Sequence, residues 1–185
     1  MLAAILVALV TAAAVHGLLQ LKTDDSLSEL FRTSTAEFAR FEDVDRRFPS
    51  NEFDVLVVVE GAELLTAKGL NAFRDTMVDL NLAEGVEGLV SMLSARGKPD
   101  AAGYAAPIVP DTLPESPEAL AAIVKALAAN DIVKGKFLSE DGTLALAVIA
   151  LDRKQIAEKG SRAIIAGIRK TVDEGLRPAG LTVQL

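Results

Sequence analysis

Two parts of this chain share one order of predicted elements, which is a strand, a helix and a second strand. In the first part, the continuous apolar and β-branched run Phe53–Gly61 predicts a strand buried on both faces or nearly so. Thr66–Leu82 then reads as a helix with one apolar face, and Val86–Leu93 predicts the next strand. A doubled strand-helix-strand order is typical of an α+β fold of the ferredoxin-like, split βαβ type.

The second part repeats this order after an insertion over residues 94–130. The insertion begins with a Gly-, Pro- and Ala-rich excursion and ends in a helix that Ser116 and Pro117 start. Two strands are predicted around an Asp141-Gly142 turn, followed by one long helix from Asp152 and a final strand that reaches the chain end. We therefore expect a domain over residues 53–185 with a mixed sheet, helices on one sheet face and an incomplete C-terminus.

The N-terminal segment Met1–Leu21 contains no Lys, Arg, Asp or Glu. As a helix, it would span about 30 Å, which is the thickness of the hydrocarbon core of a bilayer. The segment therefore predicts a transmembrane helix, truncated at Met1. A cleaved signal peptide is the alternative, although the basic residues that normally precede its apolar core are missing.

Residues 22–52 predict an amphipathic helix that connects this segment to the domain. Ser26 and Glu29 have the spacing of a capping box, and an apolar stripe runs from Leu27 to Phe48 before Pro49 ends the helix.

Composition excludes several classes of function. A net charge of −7 and an aromatic content of 4% without Trp disfavour nucleic-acid binding, which needs a basic surface and stacking platforms. The chain has no Cys and a single His, His16, so thiolate metal sites, cysteine nucleophiles and a Ser-His-Asp triad in the polar domain are excluded. Disulfides are excluded too.

No constellation of catalytic, cofactor-binding or metal-binding residues emerges from the motifs. The glycines at Gly85, Gly88 and Gly97 do not have the spacing of a phosphate loop. The acidic residues Asp75 and Asp79 lie one helical turn apart, but a solvated helix face explains them. We therefore predict that the protein is not an enzyme, needs no cofactor and holds no metal, and its substrate-binding residues stay unassigned.

Four stretches in order carry a resemblance to a known family: LKTDDSLSELFR, RRFPSNEFDVLVVVEG, LVSMLSARGKPD and KGKFLSEDGTLALAVIALD. The chain resembles exporters of the RND superfamily, most closely the branch that includes the MMPL and hopanoid-transporter-like proteins. The resemblance covers essentially the whole chain, as an N-terminal fragment from the end of the first transmembrane helix to the middle of the first large extracytoplasmic loop. It implies that the domain is a porter subdomain on the periplasmic side of a bacterial inner membrane.

The resemblance also implies export of hydrophobic or lipid-like substrates, driven by the proton-motive force. Proton coupling in this family uses charged residues of a mid-protein membrane helix that this sequence lacks, so no coupling residue is assigned. The implied partners are the membrane, the remainder of the transporter chain and the substrate, with a homo-oligomer left open. The alternative is a self-contained periplasmic module for binding or assembly, either membrane-anchored or secreted.

Overall fold

A computed structural model describes residues 6–7, 10–11, 14–17, 33–47 and 54–185 of the chain. Its contacts divide the chain into two compact units, Met1–Glu52 and Phe53–Leu185. The two units are described separately below.

The described residues of the first 17 are helical. Among the residues that the structure describes, no helix is both long enough and apolar enough to cross a membrane. A bilayer-spanning helix needs about 20 consecutive, largely apolar residues. The predicted fold class, which placed a transmembrane helix over residues 1–21 before the domain, is therefore wrong.

Helix α1 of the first unit spans Ala36–Arg47. The three preceding residues, Thr33 to Thr35, are not helical, so no continuous helix runs from Leu27 to Phe48 as the apolar stripe predicted. The backbone oxygen of Thr35 accepts a hydrogen bond from Ala39 N at 3.2 Å, and its hydroxyl accepts one from Phe38 N at 3.3 Å. Hydroxyl side chains favour such helix starts over helix interiors, because they bond to nearby backbone groups. The predicted capping box at Ser26 lies outside the described residues.

The second unit is a small α+β domain built on a four-stranded sheet. Its strands are β1 Val55–Glu60, β2 Val86–Val90, β3 Leu144–Leu151 and β4 Thr182–Gln184. Its helices are α2 Ala67–Asn81, α3 Pro117–Ala128, α4 Arg153–Lys159 and α5 Ser161–Leu176. Short 3-10 turns follow β2 and α5.

The strands lie in the order β2-β3-β1-β4, and every neighbouring pair is antiparallel. The predicted mixed sheet is therefore wrong. Both β1 and β2 run antiparallel to β3, which lies between them, so the two strands of the first strand-helix-strand part are parallel to each other without being neighbours. Strands of the first and the second strand-helix-strand part alternate across the sheet, and every neighbouring pair is therefore antiparallel.

Helices α2 and α5 carry the hydrophobic core against one face of the sheet. The prediction of an apolar α2 face is confirmed, since Leu70, Phe73, Met77 and Leu80 are all buried. Helix α5 buries Ile164, Ile168, Val172 and Leu176. These side chains and alternate residues of the central strands form one hydrophobic cluster. Burial of such a stripe supplies most of the stability of a helix in a protein of this size.

Two local predictions need correction. The long helix predicted from Asp152 is two helices, because Gly160 separates α4 from α5 with a φ of 83° that other residues rarely adopt. Around Asp141-Gly142, only the second flanking segment is a strand, and the first contributes an isolated bridge between Leu138 and Ala145. The turn itself is present, closed by a bond from Ser139 N to Leu144 O at 2.8 Å.

Candidate functional site: an apolar sheet face

The sheet has a second, largely apolar face whose residues do not belong to the core that it forms with the helices of its own unit. Side chains of a strand alternate between the two faces, and β3 alternates accordingly between buried and half-buried residues. Val57 and Val59 of β1 pair with Ala147 and Ala145, and all four are buried on the helix-covered side. We call the other side the open face; it consists of Leu56, Val58, Glu60, Val90, Leu144, Leu146, Val148, Ala150, Thr182 and Gln184.

The centre of the open face is aliphatic and accessible. Leu56 pairs with Val148, and Val148 also pairs with Val90 of β2, so these side chains lie in one row across three strands. Leu56 is 53% exposed and Val90 is 47% exposed. No residue of the open face belongs to the hydrophobic core or to the side chains that pack against it. The expectation that the strand within Phe53–Gly61 is buried on both faces or nearly so is therefore wrong.

The charge on the sheet is entirely acidic. None of the four strands contains Lys or Arg, and their charged residues are Glu60 and Glu87. Glu60 lies on the open face, and the alternation along the chain puts Asp54, directly before β1, on the same side. Within the described part of the chain, no ion pair involves either Asp54 or Glu60. The open face is therefore an aliphatic surface with carboxylates at its margin.

A concavity with a volume of about 210 Å³ lies in the helix layer. Its walls include Ala83, Ala163, Gly167 and Ile164, and Lys159 forms an ion pair with Glu84 at the same place. The space exists because three of these wall residues are small. It is smaller than the roughly 300–1,000 Å³ of ordinary ligand pockets. We therefore place the candidate site on the open sheet face.

The acidic residues Asp75 and Asp79 are both exposed on α2. Asp75 is paired with the adjacent Arg74 at 2.9 Å, and Arg74 also donates to the backbone oxygen of Asp111 at 2.6 Å. Arg74 thereby attaches α2 to the excursion of the insertion. Among the described residues, no group of three His, Cys, Asp or Glu side chains could hold a metal ion.

Asp141 has a structural role in its turn. One carboxylate oxygen accepts hydrogen bonds from Ser139 Oγ at 2.6 Å and from Thr143 Oγ1 at 2.8 Å, and also from Thr143 N. These donors, with Ser139 contributing most, lower the pKa of Asp141 to about 2. The same bonds hold the turn closed, as expected for a tight connection entering β3.

The sequence contains little signal for the open face. An amphipathic strand alternates apolar and polar residues, whereas Val55–Val59 and Leu144–Leu151 are apolar at every position. Such runs predict a fully buried strand, because the pattern does not show whether anything covers the second face. The one available hint is the position of Glu60, which marks the open side of β1.

In comparisons with known proteins, no family model matches the chain and no curated protein does. The resemblance to RND-superfamily exporters therefore depends on the residues themselves and stays a prediction.

Proposed function

We propose that this chain is the extracytoplasmic porter module of an RND/MMPL-type exporter, driven by the proton-motive force, that moves hydrophobic or lipid-like substrates. The proposal places the domain on the periplasmic side of a bacterial inner membrane, with the proton pathway in other parts of the exporter. Its main support is the open sheet face, a partly exposed aliphatic surface on a rigid, helix-backed sheet. The ordered resemblance of the four sequence stretches supports the same family.

An exposed aliphatic sheet face is unusual because burying it would be favourable. A methylene that is fully removed from water gains about 0.8 kcal/mol, so partial burial of an alkyl chain that lies across the sheet would favour its binding. The open-face residues of β3, from Leu144 to Ala150, extend over roughly 20 Å at the usual rise of a strand. That length suits an extended lipid chain.

The opposite face gives the surface its rigidity. Val57, Ala147 and Ile149 are fully buried beneath the helices, so the strands cannot easily bend away from the core. A module of this kind moves a substrate by rotating or shifting as a body rather than by deforming. This fits a porter whose driving force comes from another part of the protein.

The experiment is efflux of a lipophilic dye from energised cells that produce the protein from its native reading frame. The variant Val58→Thr/Val90→Thr/Val148→Thr places three hydroxyl groups on the open face with little change of shape. The control, Val78→Thr, alters an α2 residue that is 53% exposed on the helix layer. We expect the triple variant to slow efflux at least about tenfold at equal protein level, since three desolvated hydroxyls are each unfavourable.

Efflux should also stop when a protonophore collapses the proton gradient. Unimpaired efflux by the triple variant would contradict the role of the open face. Absence of any gradient-dependent efflux with the unaltered protein would contradict the transporter itself, and the self-contained binding module would then be the better proposal.

A further inference from the structure

We infer that the open face selects amphiphiles with a positively charged head group over neutral and anionic ones. This inference rests on the proposed function and specifies its substrate class. It follows from the distribution of charge around the aliphatic surface, because every charged residue of the four strands is acidic.

The acidic groups are placed at both ends of the same strand. Asp54 and Glu60 are six residues apart along β1 and therefore roughly 20 Å apart, with Leu56 and Val58 between them on the open face. An alkyl chain that covers the two aliphatic side chains thus brings its head group close to a carboxylate in either direction.

The other strands add no compensating positive charge. Strand β3 has no charged residue, β4 contributes the neutral Thr182 and Gln184, and the charged residue of β2 is Glu87 at a bulge. Among the strand residues of this face, an ammonium head group would meet a carboxylate and neutral polar groups, whereas a sulfate or phosphate would meet like charge. Like charges across an interface disfavour a partner, and opposite charges favour it.

The expected selectivity is modest, because the carboxylates are accessible to water. Exposed ion pairs typically change an equilibrium by up to about fivefold each. We therefore expect about fivefold tighter binding of a cationic amphiphile than of a neutral one, and about fivefold tighter binding of a neutral one than of an anionic one.

The test measures binding to the full chain by calorimetry with three probes that share a ten-carbon chain: decyltrimethylammonium, decyl maltoside and decyl sulfate, each below its micelle concentration. The variant Asp54→Asn/Glu60→Gln removes both carboxylates of the face and should abolish the selectivity while preserving the affinity for the maltoside. The control, Asp79→Asn/Glu174→Gln, removes the same number and types of charge from exposed positions of α2 and α5. This control should retain the selectivity between the three probes.

Two further measurements locate the effect. The selectivity should shrink as salt is raised, because exposed charges are screened, and Val58→Thr/Val90→Thr/Val148→Thr should weaken binding of all three probes. Equal binding of cationic and neutral probes, or selectivity that survives in Asp54→Asn/Glu60→Gln, would overturn this inference and leave the proposed function intact. Failure of every probe to bind would count against both.

Discussion

Gly175 of α5 lies directly against Thr76 of α2, so close that a Cβ atom on Gly175 would overlap the Thr76 hydroxyl oxygen. Thr76 is 2% exposed, and its hydroxyl donates to Ala72 O at 2.7 Å. The two helices that cover the sheet therefore meet at a glycine that provides close approach rather than a turn.

Substitution Gly175→Ala should destabilise the domain by about 1–3 kcal/mol, the usual cost of overpacking a core. Gly167→Ala is the matched control in the same helix, since a Cβ there meets no atom within 4 Å. It should be neutral or stabilise by up to about 1 kcal/mol, because alanine favours helix. Urea unfolding measures both. Equal effects of the two substitutions would contradict the close crossing.

The two faces of β1 differ in burial, so the same substitution at two adjacent residues should reduce the free energy of unfolding by different amounts. Val57 is fully buried, whereas Val58 is half-buried on the open face. We expect Val57→Ala to cost about 2–3 kcal/mol of unfolding free energy and Val58→Ala less than about 1 kcal/mol. Chemical denaturation of the two variants checks this, and a comparable loss at Val58 would mean that the open face is covered in solution.

The turn before β3 should make stability depend on pH. The pKa of Asp141 is about 2 in the folded protein, below the value of roughly 3.9 for an unfolded chain. The folded state therefore favours the carboxylate, and its contribution to stability is complete above about pH 5 and is mostly lost by about pH 2. The difference in stability between the unaltered protein and Asp141→Asn should shrink over that interval.

The chemical shift of the Asp141 carboxyl group, followed as a function of pH, gives the pKa of this residue directly. Ser139→Ala removes the strongest donor to Asp141 and should raise the pKa of this carboxyl towards its ordinary range. An unchanged midpoint in Ser139→Ala would show that this hydroxyl does not hold the carboxylate.

Helix α2 depends on a hydroxyl cap. Thr66 Oγ1 accepts a hydrogen bond from Gly69 N at 3.1 Å and donates to Glu63 O at 2.7 Å. Thr66→Ala should cost about 1 kcal/mol, as is usual for the loss of an N-cap, whereas Thr66→Ser should keep most of that stability. Thermal unfolding of both variants measures the difference, and equal losses would argue against the capping role.

The sequence by itself determined most of the local elements of the domain. The 3.6-residue periodicity identified the α2 face that buries Leu70, Phe73 and Met77, and Ser116 and Asp152 marked helix starts that the structure contains. These features are local because a periodic stripe or a cap involves residues within one or two turns.

The tertiary structure alone decided how those elements combine. The order of strands and their antiparallel pairing depend on contacts between residues such as Val57 and Ala147, far apart in the chain. The sequence also did not show which side of β1 stays open. An all-apolar strand has no alternation of apolar and polar residues, and only the packing of the helices distinguishes its two faces. Periodicity reports which residues share a face, but burial depends on what the rest of the chain brings to that face.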